Sequence, residues 1–283
     1  MRPTTRLATF IAAAALCLGS GSEYQKSIED WRVKREQRLK ADDGWLTVAG
    51  LFWLKEGINS AGSAPGRAIR LPRGPAYFGD FELHQGKVAF HPAERPGASS
   101  GLRSDADTGG PDMIKNDDMT LYVIRRDDRF GIRLKDKQSE YRREFTGLHW
   151  FPVREQYRIT AHWTAYNSPH KISVPNILGQ TDQEDSPGYA SFTLNGAEYR
   201  LDPVTEGDEL FFIFRDLTSG KETYGAGRFL YADMPRNGAV LLDFNKAQNP
   251  PCAFTPYATC PLPPKQNRLA AKIEAGELNY GHH

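Results

Sequence analysis

Residues 189–201 read YASFTLNGAEYRL. Tyr189 to Leu194 alternates between apolar and small polar residues. Asn195-Gly196 follows, and Ala197 to Leu201 alternates back. Side chains of a strand point to opposite faces in turn, so period two marks a half-buried strand. Asn-Gly tolerates the positive φ angles of a type I′ turn, which matches the twist of the strands it joins. The stretch is therefore a β-hairpin.

The same grammar recurs on both sides. Phe81 and Leu83 alternate, Gln85-Gly86 turns the chain, and Val88 and Phe90 alternate back. Leu121 to Ile124 and Phe130 to Leu134 flank Asp127 and Asp128. Tyr157 to Tyr166 is a long strand candidate. Leu210 to Arg215 and Thr223 to Tyr231 flank Thr218-Ser219-Gly220, and Asn237-Gly238 leads into Ala239 to Phe244. Trp45 to Leu54 is a mostly apolar, strand-like run. Short strands with turns this regular predict a mainly β fold, an antiparallel barrel or sandwich built from hairpins.

Before Trp45 the period changes. Tyr24, Ile28, Trp31 and Leu39 recur at helical steps, with Arg35 interrupting the apolar face. Asp30–Lys34 and Glu36–Lys40 are acid-first pairs four residues apart. Gly44 is a plausible C-cap. The expected organisation is an N-terminal α-helix over residues 23–44 and a single β-rich domain over 45–283. Two stretches, 91–118 and 167–188, lack periodicity and read as long loops. The first can separate two lobes.

Residues 1–22 read as a signal peptide. Arg2 and Arg6 form a positive start, Leu7 to Leu18 is apolar but for Thr9, and Gly19 to Ser22 is small and polar. The run is too short to span a membrane. Cleavage after Ser22 fits best. The implied location is periplasmic or secreted, with a lipoprotein through Cys17 as the lesser reading. Leu16 stands directly before Cys17, where a lipid-attachment motif wants a small residue.

The chain has 283 residues, 39% of them hydrophobic and 25% charged, enough for a globular core. Lys and Arg number 36 against 35 Asp and Glu. That balance supplies no basic field for nucleic acid. Losing residues 1–22 removes two arginines and no acids. There is no G-x-S-x-G, P-loop, H-E-x-x-H or dinucleotide fingerprint. No cofactor is predicted, and the expected partner is a small polar molecule.

In an oxidising compartment Cys252 and Cys260 are expected as a disulfide closing a nine-residue loop. The chain-entropy estimate for such a loop is about 2.5 kcal/mol. A metal or redox pair, a reactive thiolate and two inert thiols are the alternatives. His149 and His162 each adjoin a Trp and read as packed residues rather than metal ligands.

The densest chemistry lies near the C-terminus. Leu242-Asp243-Phe244-Asn245 is followed by Asn249-Pro250-Pro251-Cys252-Ala253-Phe254 and Cys260-Pro261-Leu262-Pro263-Pro264. Asn267-Arg268-Leu269 and Ala275-Gly276-Glu277 complete it. With Thr223-Tyr224 and Gly227-Arg228-Phe229-Leu230 upstream, this string closely resembles the signature of domain of unknown function 1684. The resemblance extends from Asp42-Asp43-Gly44-Trp45-Leu46 to the end. It implies no established activity, substrate or cofactor. Similar sequences often carry proline where this chain has Ala270, which suggests an extended run from Arg268 to Ile273.

Prolines fix φ and stiffen this segment. Amides and carboxylates on rigid backbone suit a preorganised polar site. They equally suit a loop tied down by side-chain bonds to backbone. Two functions follow. As a binding module, the protein would hold a small polar ligand through Arg228, Asn245, Asn249, Asn267 and Arg268. As a hydrolase acting on an envelope or nutrient molecule, it would use Asp243 and Glu277 as general acid and base. Arg228 or Arg268 would then stabilise developing charge, and Asn245 would orient substrate.

Overall fold

A computed structural model describes residues 12–281, the side chains of 12–22 and of Pro169 excepted. The chain divides into two compact units. The N-terminal unit comprises Arg38–Thr146 and Phe254–Ala258; the C-terminal unit comprises the chain up to Gln37, Gly147–Ala253 and the chain from Thr259 on. The boundary near residue 146 differs from the loop at 91–118, which lies within the N-terminal unit and carries two short strands.

Helix α1 runs over Ala12–Lys40. It starts earlier than the expected helix at 23. The expected leader lies outside the described residues over 1–11 and has only its backbone described over 12–22. Ile28 and Leu39 are buried on the predicted face, and Arg35 is buried with them. Gly44 is not a left-handed cap. Its φ is −69°, and it precedes a 3-10 turn at Trp45–Thr47. A Cβ there would stand 2.4 Å from the Arg38 and Leu39 carbonyl oxygens, which is why glycine occupies the position.

The N-terminal unit holds β1 (Val48–Trp53), β2 (Gly57–Gly62), β3 (Ile69–Arg70), β4 (Gly79–His84), β5 (Lys87–Pro92), β6 (Ser100–Leu102), β7 (Ile114–Asn116), β8 (Met119–Arg126) and β9 (Arg129–Asp136). They form two open sheets, ordered β1-β9-β8-β7 and β3-β2-β4-β5-β6. A short helix α2 follows at Glu140–Arg143. The hairpin turns at Gln85-Gly86 and Asp127 carry the positive φ that their sequence demanded. Phe81, Leu121, Val123 and Ile132 lie in the core, each fully buried.

The C-terminal unit holds β10 (Arg158–Pro175), β11 (Thr181–Leu194), β12 (Ala197–Leu201), β13 (Val204–Glu206), β14 (Glu209–Phe214), β15 (Arg228–Asp233) and β16 (Ala239–Asp243). The sheets are β12-β11-β10-β16 and β13-β14-β15. In the deciding hairpin Ala190 pairs with Leu201 and Leu194 with Ala197. Asn195 and Gly196 have φ of 52° and 81°. Phe192, Phe212, Phe214, Leu230, Leu242 and Phe244 share the core.

The fold is mainly β, with antiparallel sheets and an N-terminal helix. Among the described residues no sheet closes into a barrel. The sandwich alternative is the one these open sheets fit. Residues 167–188 are not a loop. β10 and β11 continue past a bulge as a ribbon, with His170 opposite Ser186 and Pro175 opposite Thr181. Ile172 and Val174, each 3% exposed, alternate along it. Pro169, Pro175 and Pro187 hid that alternation.

Candidate functional site

The C-terminal string resolves into a set of buried clamps. Arg228, at the start of β15, is fully buried. Its guanidinium donates to the Ala275 and Ile273 carbonyls and to Asp216 Oδ1. Asp216 Oδ2 accepts the Ile273 N–H at 2.7 Å. The run over 268–273, expected to be extended, bends at Ala270 and Ala271, and residues 269–277 lie outside the named strands. Leu269 and Glu277 donate to, and Ala271 and Gly276 accept from, neighbouring backbone. The backbone groups of Ile273 and Ala275 take side-chain partners instead, which Arg228 and Asp216 supply. Burial lowers the guanidinium's hold on its proton, while Asp216 raises it.

Asp243 and Asn245 form a second clamp. Asp243 caps the 3-10 turn Phe244–Lys246 by accepting from the Asn245 N–H, and it accepts from Tyr24 Oη at 2.8 Å. Asn245 grips both backbone groups of Arg154, donating to its carbonyl at 2.9 Å and accepting its N–H at 3.0 Å. Burial, then Asp243, pushes the Tyr24 phenol well above its usual range.

Glu277 and Asn249 form a third. Glu277 is fully buried and accepts from Arg35 Nε at 2.8 Å and from the Asn249 N–H at 2.7 Å. Asn249 Nδ2 donates to the Leu278 carbonyl, and the Asn249 carbonyl accepts from Arg35 Nη2. Burial pushes the Glu277 carboxyl up; Arg35, the Asn249 N–H and Arg228 oppose it. Each of the two carboxylates expected as acid and base thus has partners within its own clamp. No hydrogen bond links one to the other.

Asn267 is 1% exposed and makes three backbone bonds. Its Oδ1 accepts the Asp202 N–H at 2.8 Å, and its Nδ2 donates to the Asp202 carbonyl at 2.8 Å and the Ile213 carbonyl at 3.0 Å. It ties the 3-10 turn Lys265–Asn267 to the end of β12.

The expected disulfide is not formed in this structure, where Cys252 and Cys260 are both thiols. The Cys252 N–H donates to Cys260 Sγ at 3.2 Å. Hydrogen bonding to Cys260 holds the Cys252 thiol below its usual range, against burial. Tyr224 Oη donates to the Cys252 carbonyl at 3.1 Å. His149 and His162 are exposed. Among the described residues no group of three His, Cys, Asp or Glu side chains is placed to hold a metal. Among them, too, no helix is long and apolar enough to cross a membrane.

Arg268 stands apart from the other expected residues. It is exposed and lines a cavity of about 760 Å³ with Arg200, Asp202, Lys265, Lys171 and His170. The β10–β11 ribbon forms one wall, the end of β12 another, and the segment from Pro263 to Arg268 the third. The ribbon tip is anchored by the Ile177 N–H donating to the Cys260 carbonyl and the Leu262 N–H donating to the Pro175 carbonyl.

The cavity is cationic. Its one carboxylate, Asp202, has a fully buried side chain and is gripped by Arg200 through Nε at 3.1 Å and Nη2 at 2.7 Å. Arg200 also donates to Tyr166 Oη and lies 3.8 Å over the Tyr189 ring. Tyr166 donates to Asp202 at 2.5 Å and stacks on His170 with ring centroids 4.2 Å apart. Burial, then Asp202, pushes the Tyr166 phenol up to about 12, so it stays a donor. Lys171 pairs with Asp185 at 2.8 Å. Lys265 and Arg268 make no ion pair among the described residues. Sequence reasoning missed Lys171, Arg200 and Lys265. Lys265 adjoined the singled-out string; Arg200 lay in the deciding hairpin.

A family model described as "Protein of unknown function (DUF1684)" matches residues 143–278. The chain is 32% identical to an uncharacterized protein of Haloarcula marismortui with a solution NMR structure. The match covers 50% of this chain and 81% of that one, with a TM-score of 0.42. No curated protein matches. The chain belongs to the DUF1684 family.

Proposed function

We propose that this DUF1684 protein is a binding module for a small anionic ligand, held in the cavity bounded by the β10–β11 ribbon, β12 and residues 263–268. The observation that carries this reading is the pair Lys265 and Arg268, both exposed at the cavity and without an acidic partner among the described residues. Arg200 adds a third cation whose pairing with Asp202 fixes its orientation. A guanidinium matches carboxylate or phosphate with two parallel N–H donors. Ile172, Pro175 and Pro263 give the ligand an apolar floor. The volume lies in the range of small-molecule sites, about 300–1,000 Å³.

The clamps give this cavity its stiffness, which lowers the ordering entropy of binding. Export remains part of the reading, carried by Arg2, Arg6 and the apolar run. In that compartment the adjacent Cys252 and Cys260 thiols would oxidise to the expected disulfide.

Calorimetric titration with inorganic phosphate and with citrate tests the proposal, with glycerol as the uncharged control. Saturable binding of either anion, weakened at least about tenfold by Arg268→Ala or Lys265→Ala, is expected. Binding that ignores both substitutions, or no binding at about 10 mM anion, where an affinity of about 3 kcal/mol would already show, sinks it.

A further inference from the structure

The N-terminal unit contains a separate cavity of about 520 Å³, walled by β1, β3, β9, the residues around α2 and Tyr257. We propose that it is a second binding site, selective for a small ring-shaped monocarboxylate of which benzoate is the simplest case.

Ser139 is the first observation. It lines the cavity, is 3% exposed, and its hydroxyl has no hydrogen-bond partner. A buried hydroxyl without a partner loses its water bonds and gains nothing in return. A ligand oxygen that reached this hydroxyl from the cavity, with a small shift of the Ser139 side chain, would supply the missing partner.

Charge is the second. Arg73 and Asp136 neutralise each other through two short bonds, and Asp136 also accepts the Gln138 N–H. Arg70 and Arg143 line the same cavity and form no ion pair among the described residues. Glu140 is the remaining carboxylate there, and it is exposed. Three cations against two carboxylates leave room for one negative charge. Arg143 is already aimed by a bond from its Nη1 to the Gln138 carbonyl.

Shape is the third. The Tyr141 and Tyr257 rings meet edge to face, with centroids 6.4 Å apart at 72°. Phe52 joins them in lining the cavity. Ring faces and edges favour a flat apolar guest through offset and T-shaped contact. A ring between these residues would direct its carboxylate to the arginines and the Ser139 hydroxyl.

The test is ¹⁹F NMR of 4-fluorobenzoate with the full chain, and 4-fluorobenzamide as the uncharged control. Line broadening of the acid alone, reversed by excess benzoate, is expected. Arg143→Gln should weaken binding about tenfold and Ser139→Ala about fivefold. Without ligand, Ser139→Ala should melt at or above the wild-type temperature, because the hydroxyl it removes had no partner. A purely structural serine would lower that temperature and leave affinity unchanged. No broadening, equal broadening of the amide, or affinity indifferent to Ser139→Ala and Arg143→Gln would overturn the proposal. So would loss of benzoate binding in Arg268→Ala, which would place the probe in the other cavity.

Discussion

Asn267 and Arg268, both expected as ligand-binding residues, are neighbours in sequence, one buried as a clamp and the other exposed at the cavity, and substituting each in turn separates scaffold from site. Asn267→Ala removes the partners of the Asp202 N–H, the Asp202 carbonyl and the Ile213 carbonyl, all buried. A buried backbone group left unsatisfied costs about 1–3 kcal/mol. Carbonyls, with two lone pairs, fall at the low end. The three together give about 3–5 kcal/mol. For a domain of this size each kcal/mol shifts the melting temperature by about 2–4 °C, so the variant should melt about 6–20 °C early. Asn267→Asp should fare worse, since it turns a carboxylate on two carbonyl oxygens. Arg268→Ala removes an exposed side chain with no ion pair among the described residues and should melt within about 2 °C of wild type. It should still lose about 10- to 100-fold in anion affinity, the range of a lost charge-assisted hydrogen bond. Tryptophan fluorescence during thermal unfolding and calorimetry on the same preparations read both quantities. A wild-type melting temperature for Asn267→Ala would refute the clamp. Early melting of Arg268→Ala would show it to be structural and remove the residue that carries the binding proposal.

Glu277→Ala should cost about 3–5 kcal/mol in urea unfolding, because it leaves Arg35 buried without its carboxylate. The double variant Arg35→Met with Glu277→Leu should recover part of that loss; full additivity would deny the coupling. Arg103 holds the Asp112 carboxyl at about 2 through its guanidinium and its backbone N–H. A depressed carboxylate stabilises the fold fully above its unfolded value of 3.8 and loses that contribution as pH falls toward 2. A carbon-detected NMR titration of Asp112 with a midpoint near 3.8 would contradict the pairing. Oxidised glutathione should lower the intact mass by about 2 Da as Cys252 and Cys260 close; a mass unchanged after hours would count against the expected disulfide. N-terminal sequencing of periplasmic protein should begin at Glu23, and an intact Met1 there would remove the leader.

What could be read from the sequence was what local chemistry decides. Asn195-Gly196, Gln85-Gly86 and Asp127 turned the chain where their side chains or lack of one allowed positive φ. The hairpins between them followed from period two. The 170–186 ribbon escaped because prolines break the propensity signal while pairing across the ribbon still holds the register. Arg35 was visible as a charge on an apolar helix face, but its reason, Glu277, lies 242 positions away. No local pattern encodes a partner at that distance. The two open sheets of each unit could not be told from a closed barrel, since closure depends on which edges meet rather than on how each strand alternates.

The functional residues were half legible for a different reason. An Asn that clamps backbone and an Asn that binds ligand are the same residue, and burial alone tells them apart. Asn245, Asn249 and Asn267 are all buried within 1%, and each has backbone as its main partner. Between 269 and 277 backbone partners hold Leu269, Ala271, Gly276 and Glu277, while Ile273 and Ala275 are held by the side chains of Arg228 and Asp216. The segment is held as firmly as these backbone bonds and clamps together. Arg268 inherits that firmness from Asn267 on one side and from Arg228 and Asp216 on the other. Its neighbours across the cavity inherit it through Asp202, whose backbone Asn267 grips while its carboxylate aims Arg200. One buried amide therefore sets the distance between cations that no direct contact joins. That gives Asn267 substitutions a second signature: at temperatures where the variant is still folded, anion affinity should fall although no ligand-facing atom has been removed.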